Sequence, residues 1–351
     1  MPNQTPLALQ VVGLAKRFAD VQAVAGVDVE VRAGEIFGFL GPNGAGKTTT
    51  INMLIGLARP DRGTIRVAGI DCSADPKAAQ HLMGVVPDES NLYPELTGAE
   101  NLAFCGALYG LPRREREARA RALLDRVGLS EVAERRFAGY SKGMKRKLTI
   151  AAGIVHRPAI LFLDEPTSGI DVASARQIRQ LIADLNASGT TVFLTTHYIE
   201  EAERLCHRIA FIVQGRIVRT DAVAALMRSA EERHAVRFAV AEHGSGLCDA
   251  LEAAFPHLRC RAVGGGGLRV ESSEPVRIGP LVRFFEERGA EVTEARVLRP
   301  SLEDVFVEVT GIAADTLARE PLGEPLGEPL GGSRGGSRGA SRGASRGADA
   351  A

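Results

Sequence analysis

Residues 41–48 read Gly-Pro-Asn-Gly-Ala-Gly-Lys-Thr, and no other stretch of this 351-residue chain limits so sharply what it can fold into. Two glycines separated by four residues and followed by Lys and Thr form a phosphate-binding loop when they join a strand to a helix. The flanks meet that condition. An apolar run of strand length fills 36–40, and the apolar spacing over 48–57 predicts a helix that stops near Gly56 and Pro60. Gly41, Gly44 and Gly46 let the chain curl so that successive N–H groups and a helix N-terminus converge on one anion. Lys47 is then placed to reach the terminal phosphates, and the Thr48 hydroxyl to ligate Mg²⁺. The predicted nucleotide cradle comprises Gly41, Pro42, Asn43, Gly44, Ala45, Gly46, Lys47, Thr48 and Thr49.

Composition excludes more than it proposes. Lys plus Arg and Asp plus Glu both number 43, so no general attraction to nucleic acid or acidic surfaces is indicated. The five cysteines (72, 105, 206, 248 and 260) show no Cys-x-x-Cys spacing, and they read as free thiols of a reducing compartment. Residues 1–10 lack the basic and apolar regions of a signal peptide, so the sequon at Asn3 is expected to be idle. No uninterrupted apolar run approaches the ~20 residues that span a bilayer. The longest candidate, 148–163, is split by His156, Arg157 and Pro158. A soluble chain is expected, one that serves a membrane only through a partner.

Strands are predicted at 7–14 and 26–31, with Phe18 between them either as a packing ring or as a platform for a base. After the first helix come a strand at 63–67, a helix over 76–83 and a strand at 84–87. From 88 to 157 the pattern turns helical: Thr97 and Glu100 form a capping box, and 112–127 is a charged amphipathic helix. Ser141 can cap a helix running to Ile154, which turns a positive dipole end toward Ser141, Lys142, Gly143 and Met144. An ordinary N-cap is the competing reading. The continuous apolar run 159–163 predicts a strand buried on both faces of a parallel sheet, and it ends in Asp164-Glu165. Beside a phosphate loop, Asp164 can hold Mg²⁺ through water and Glu165 can take a proton from an attacking water. A helix over 173–185 and a buried strand over 190–196 follow, the latter ending at His197, where α/β sheets present ligands. A hairpin over 209–219 and a short helix to Met227 close this part of the chain.

In order and spacing these stretches resemble an ATP-binding cassette (ABC) ATPase over about residues 7–228. Tyr140-Ser141-Lys142-Gly143-Met144, with Leu302-Glu303-Asp304-Val305-Phe306 later, is similar to bacterial exporter subunits of the daunorubicin-resistance type. The resemblance implies ATP and Mg²⁺ as ligands, with Phe18 stacking on adenine, Asp164 at the metal, Glu165 as general base and His197 as γ-phosphate sensor. It implies further that Ser141 and Gly143 touch the γ-phosphate held by a second copy, and that Asp171 couples the two sites. The implied assembly is a homodimer with a composite ATP site, attached to a separate membrane permease subunit on the cytoplasmic face and binding no nucleic acid. Two departures stand out. Asp88 occupies the position where the family usually has Gln, so it can accept from a metal-bound water but not donate, and Lys142 and Met144 replace the more common Gly and Gln.

The expected fold is α/β: a P-loop NTPase cassette with a mostly parallel core sheet, an antiparallel N-terminal β region and a helical insertion at about 88–157. Over 229–311 the order βαββαβ and a last short helix predict a small ferredoxin-like α+β domain with no catalytic set. In it, 264–267 reads as a hairpin turn. Residues 312–351 are low-complexity repeats that cannot bury a core and are expected to be disordered. The competing reading is a soluble mechanical ATPase of the same family, acting in translation or DNA repair; the doubled cassettes and coiled coils typical of those proteins are not evident. A non-hydrolysing module would need a broken loop or a missing base, and both Lys47 and Glu165 are present.

Overall fold

The computed structural model describes residues 6–231, 234–241, 246–263, 267–298 and 301–312. In chain order the first elements are strands β1 (Leu7–Phe18), β2 (Val21–Arg32) and β3 (Ile36–Leu40), helix α1 (Lys47–Leu54), strands β4 (Arg62–Val67) and β5 (Ile70–Asp71), helix α2 (Pro76–His81) and strand β6 (Met83–Val86). Helices α3 (Gly98–Leu108), α4 (Arg113–Arg126) and α5 (Lys142–Gly153) make up the helical stretch. Then come β7 (Ile160–Asp164), α6 (Val172–Ala187), β8 (Thr191–Thr196), α7 (Ile199–Leu205), β9 (Arg208–Val213), β10 (Arg216–Ala222) and α8 (Val223–Glu231). The chain continues with β11 (His234–Ala241), α9 (Leu247–Ala254), β12 (Arg259–Val263), β13 (Gly267–Ser272), α10 (Ile278–Glu286), β14 (Glu291–Leu298) and α11 (Leu302–Thr310).

The central sheet has the order β10-β9-β3-β8-β7-β6, parallel except for the β10 edge. Strands β3, β7 and β8 are buried on both faces, as the continuous apolar run before Asp164 predicts for β7. Alternation sorts their side chains between two cores. Ile36, Leu40, Leu161, Leu163 and Leu194 face the helices, whereas Phe37, Phe39, Phe162 and Phe193 face the antiparallel sheet β2-β1-β4-β5. Phe193 is the hub of that second core, its ring 5.6–5.7 Å from those of Phe37, Phe39 and Phe162.

β1 and β2 run further than their alternation indicates. Phe18 pairs with Val21 around a tight turn at Ala19 and Asp20, with Ala19 at φ +46°, and several bulges carry the ladder there. Phe18 thus ends a strand instead of lying in a loop, half exposed beside Lys16, whose ammonium is 5.3 Å from the ring centroid.

Beyond α8, β12-β13-β11-β14 form an antiparallel sheet, with α9 and α10 packed on it through Leu251, Leu281, Phe284 and Phe285, the ferredoxin-like arrangement. The turn at 264–266, the sequon at Asn3 and the repeats from 313 onward lie outside the described residues. The expectation of five free thiols is corrected in this sheet: Cys248 and Cys260 form a disulfide. The reason is tertiary. α9 packs on β12 and brings the two Cα atoms to 5.1 Å, a proximity invisible in linear spacing. Cys72, Cys105 and Cys206 are free.

Sequence order groups α11 with the accessory segment, yet it packs on the cassette. Leu302, Val305 and Phe306 join the core that contains Leu226 and Phe211, and the rings of Phe306 and Phe211 meet edge to face at 5.4 Å. The Leu302 N–H donates to Glu203, and Arg269 of β13 pairs with Asp304 at 2.6 Å, so α11 fastens the accessory sheet to the cassette. Phe306→Ala should therefore destabilise the cassette itself, by about 3–5 kcal/mol as for other buried aromatic truncations. Urea unfolding followed through ATPase loss reads this directly, and an unchanged midpoint would exclude such a role.

Candidate nucleotide site

The C-terminal ends of neighbouring parallel strands carry the site, the location at which α/β sheets bind ligands. The phosphate loop follows β3, Asp164-Glu165 closes β7, His197 follows β8 and Asp88 follows β6. Gly46 caps α1 in the left-handed region at φ +101°, where a Cβ would run into the Ala23 carbonyl, so only glycine fits.

Lys47 is 6 % exposed, and its Nζ donates to the Gly41 carbonyl at 2.6 Å and to that of Pro42 at 3.3 Å. Its ammonium lies 3.6 Å from Glu165 Oε1. Burial pulls the Lys47 pKa down, and the charges of Glu165 and Asp164 oppose that pull. For Glu165, burial pushes upward, but the His197 hydrogen bond and the His197 and Lys47 charges together hold the carboxyl below its usual range. Its Oε2 is 2.8 Å from His197 Nδ1. A carboxylate can only accept, so Nδ1 carries the proton and donates to Glu165.

Glu165 occupies left-handed backbone at φ +47°. Its N–H donates to the Thr195 carbonyl at 3.1 Å, and the Thr195 hydroxyl donates to Asp164, so one threonine orients both acids. Burial raises the Asp164 pKa, with further increments from the charges of Glu165 and Asp88; Asp88 is raised by burial as well, against the pull of Arg146. Among the described residues no three acids, histidines or cysteines cluster closely enough to hold a metal by themselves, and Mg²⁺ asks for less, taking one or two carboxylates, here Asp164 with Asp88 nearby, plus oxygen donors from phosphate. The residues therefore fit Mg²⁺.

Arg146 was not singled out by the sequence reading. It is 6 % exposed, donates to the Pro87 and Asp88 carbonyls and to the Asp88 carboxylate at 3.4 Å, and reaches the Glu165 carbonyl. The signal was available: Arg146 falls on the same stripe of α5 as Gly143, Thr149, Ile150 and Gly153, and a cation on a buried stripe needs a partner. Thr195 carried no comparable signal, because a threonine in a buried strand is unexceptional.

Ser141 caps α5 as expected, accepting from the Met144 N–H at 3.3 Å. Gly143 is buried against α6, where an added Cβ would lie 2.7 Å from that of Ser174. Lys142 is exposed near Gly169, and Met144 is half buried. Asp171, also exposed, caps α6 by accepting from the Ser174 N–H at 2.9 Å. The structure thus brings the loop, Asp164, Glu165 and His197 together, while the contacts of Ser141, Gly143 and Asp171 lie at the start of α5 and α6. Phe18 lies half exposed at the turn of the β1–β2 hairpin.

A loop lysine, two strand-end acids and a histidine on a parallel sheet define a P-loop nucleoside triphosphatase. Residues 24–168 match the ABC transporter family. The linearmycin resistance ATP-binding protein of Bacillus subtilis is 44 % identical over 210 residues, 60 % of this chain and 68 % of that protein. The daunorubicin resistance ATP-binding protein DrrA3 of Streptomyces coeruleorubidus is 36 % identical over 309 residues, 87 % of this chain and 96 % of that one. Among solved structures, an ATP-binding subunit of an ABC transporter superposes with TM-score 0.58 at 31 % identity, covering 63 % of this chain and 92 % of that chain. A cassette solved as a dimer with ADP and phosphate after hydrolysis gives 0.56 at 26 %, covering 61 % and 98 %. The chain belongs to the ABC transporter family, as an ATP-binding subunit with ATPase activity.

Proposed function

We propose that this subunit powers an exporter of drug-like or other small hydrophobic compounds, working as two face-to-face copies bound to a separate membrane permease. The observation that carries the reading is the Lys47-Glu165-His197 constellation at the strand ends, with the capped turn Ser141 to Met144 packed on α6 instead of completing it. Phe18 of the same copy would stack on the adenine, while a second copy would bring its own Ser141 and Gly143 to the γ-phosphate and Asp171 would couple the two sites. Lys47 neutralises the terminal phosphates, Glu165 takes the proton of the attacking water, and His197 holds Glu165 while offering Nε2 to the γ-phosphate. Thr48 and Asp164 would hold Mg²⁺, with Asp88 nearby, and the ion supplies charge neutralisation on the phosphoryl oxygens. The names of the relatives, which include linearmycin and daunorubicin resistance and Nod factor export, support export and drug resistance as the setting.

A permease partner accords with two further features. Among the described residues no helix is long and apolar enough to cross a membrane. A groove of about 410 Å³ between α2 and α3 exposes Leu57 at 76 % and Leu108 at 68 %. Such a groove suits an apolar helix end, and placement at the cytoplasmic membrane face follows from that partner. Leu57→Glu with Leu108→Glu should abolish co-purification with a multi-span membrane protein while leaving the ATPase of the isolated subunit within about twofold. Equal recovery of the membrane protein would refute this docking face, and its absence from wild-type preparations would favour the soluble mechanical ATPase.

A further inference from the structure

The opposite ends of the same strands hold a second cavity, of about 510 Å³, which the ATPase reaction does not use. It opens beside Ala159 and Thr190, just before β7 and β8, whereas Asp164 and His197 follow their C-terminal ends. Five residues of strand separate the two by roughly 16 Å. Arg119, Leu123 and Arg126 line it from one face of α4, Ile154 and Arg157 from the end of α5 and the turn that follows, and Leu185 from α6.

Arg119 and Arg126 are fixed in place, Arg157 is exposed, and none of the three is neutralised by an acid. Arg119 donates to the Val155 carbonyl, and Arg126 donates to the Ser188 hydroxyl at 3.0 Å and the Asp184 carbonyl at 3.3 Å. Among the described residues none of the three has a carboxylate within ion-pair distance, and no acid lines the cavity. Burial and the Arg157 charge both depress the Arg119 pKa, with Glu115 only a weaker counterweight, as expected for like charges crowded together. The C-terminal ends of α5 and α6 also point here, but two helix ends contribute only about half a negative charge each against three cations. Arg157 has left-handed backbone at φ +57°, a conformation that glycine or asparagine would adopt more readily, so its side chain is not there for the turn's sake.

We propose that this cavity binds an amphipathic organic anion, a phosphate or carboxylate head held by Arg119, Arg126 and Arg157 and an apolar body against Leu123, Ile154 and Leu185. Guanidinium groups match such heads in bidentate geometry, and the apolar wall gives the body a place that a bare inorganic ion cannot use. The ligand bridges α4 to the α5–β7 and α6–β8 turns, tying the helical stretch to the core sheet.

Decyl phosphate below its micelle concentration is the probe, titrated by calorimetry into full-length protein saturated with ADP so that the phosphate loop is already filled. Sub-millimolar binding is expected in wild type, weakened at least tenfold in Arg157→Gln and again in Arg126→Gln, with basal ATPase unchanged in both. Inorganic phosphate should bind far more weakly. Equal decyl phosphate affinity in wild type and Arg157→Gln overturns the proposal. So does capture only on vesicles containing phosphatidylglycerol, since that places the anion on a membrane surface and not in a single-chain cavity. Because the readout is binding in the presence of ADP, a failure leaves the ATPase and export readings untouched.

Discussion

Lys47→Ala should abolish ATP turnover, lowering the rate by at least roughly 10²-fold, the typical loss on removing one preorganised charge from a phosphoryl-transfer site. Lys47 is buried, pinned by the Gly41 and Pro42 carbonyls and within 3.6 Å of Glu165, so its ammonium is held ready in position. Its burial costs solvation free energy, and a structural lysine would not be retained so close to a loop of converging N–H groups without an anion to meet. Lys47→Arg separates charge from shape. It keeps the cation, but the planar fork cannot occupy a slot fitted to a compact ammonium, so turnover should also collapse. Initial-rate ATPase assays with equilibrium nucleotide binding check both variants, and near-wild-type turnover in Lys47→Ala would remove the loop from the catalytic scheme.

The cassette was legible in the sequence because local signals and buried strands coincide there. The apolar stretches at 36–40 and 160–163 and the buried strand ending at Thr196 read as central strands, and each carries its chemistry at its C-terminal end. The caps at Thr97 and Ser141 were equally readable, because a cap is a contact between residues three apart. What escaped depends on long-range packing. The Cys248–Cys260 disulfide follows from α9 lying on β12, the Thr195 link to Asp164 from two strands being neighbours, and the docking of α11 from a choice between two available apolar surfaces. Arg146 lies between these cases: its position on a buried stripe was visible, but its partners, the carbonyls of 87 and 88 and the Asp88 carboxylate, come from a segment 58 residues away. That pairing gives Asp88 a structural reason to be acidic, since a glutamine there would remove the carboxylate that acts most on the buried guanidinium and leave only the more weakly acting Asp164 and Glu201.

Glu165→Gln should slow hydrolysis by at least roughly 10²-fold, the usual contribution of a general base, while ATP binding persists. The variant isolates charge from shape. Gln fills the same volume and can still accept from His197 Nδ1, and the backbone is anchored independently, through the N–H to the Thr195 carbonyl. The left-handed φ of +47° at Glu165 is therefore retained; such strain costs of order 1–3 kcal/mol and persists only where surroundings enforce it, commonly at working sites. The lost charge also frees Lys47 from its acidic neighbour, which favours its engagement with triphosphate. With hydrolysis blocked and binding kept, two copies joined through each other's Ser141 and Gly143 should accumulate. Sedimentation of Glu165→Gln in saturating ATP and Mg²⁺ should show a dimer that wild type forms only transiently. A strictly monomeric species would refute the composite site, and wild-type turnover would refute Glu165 as the base, so the two outcomes test assembly and chemistry separately.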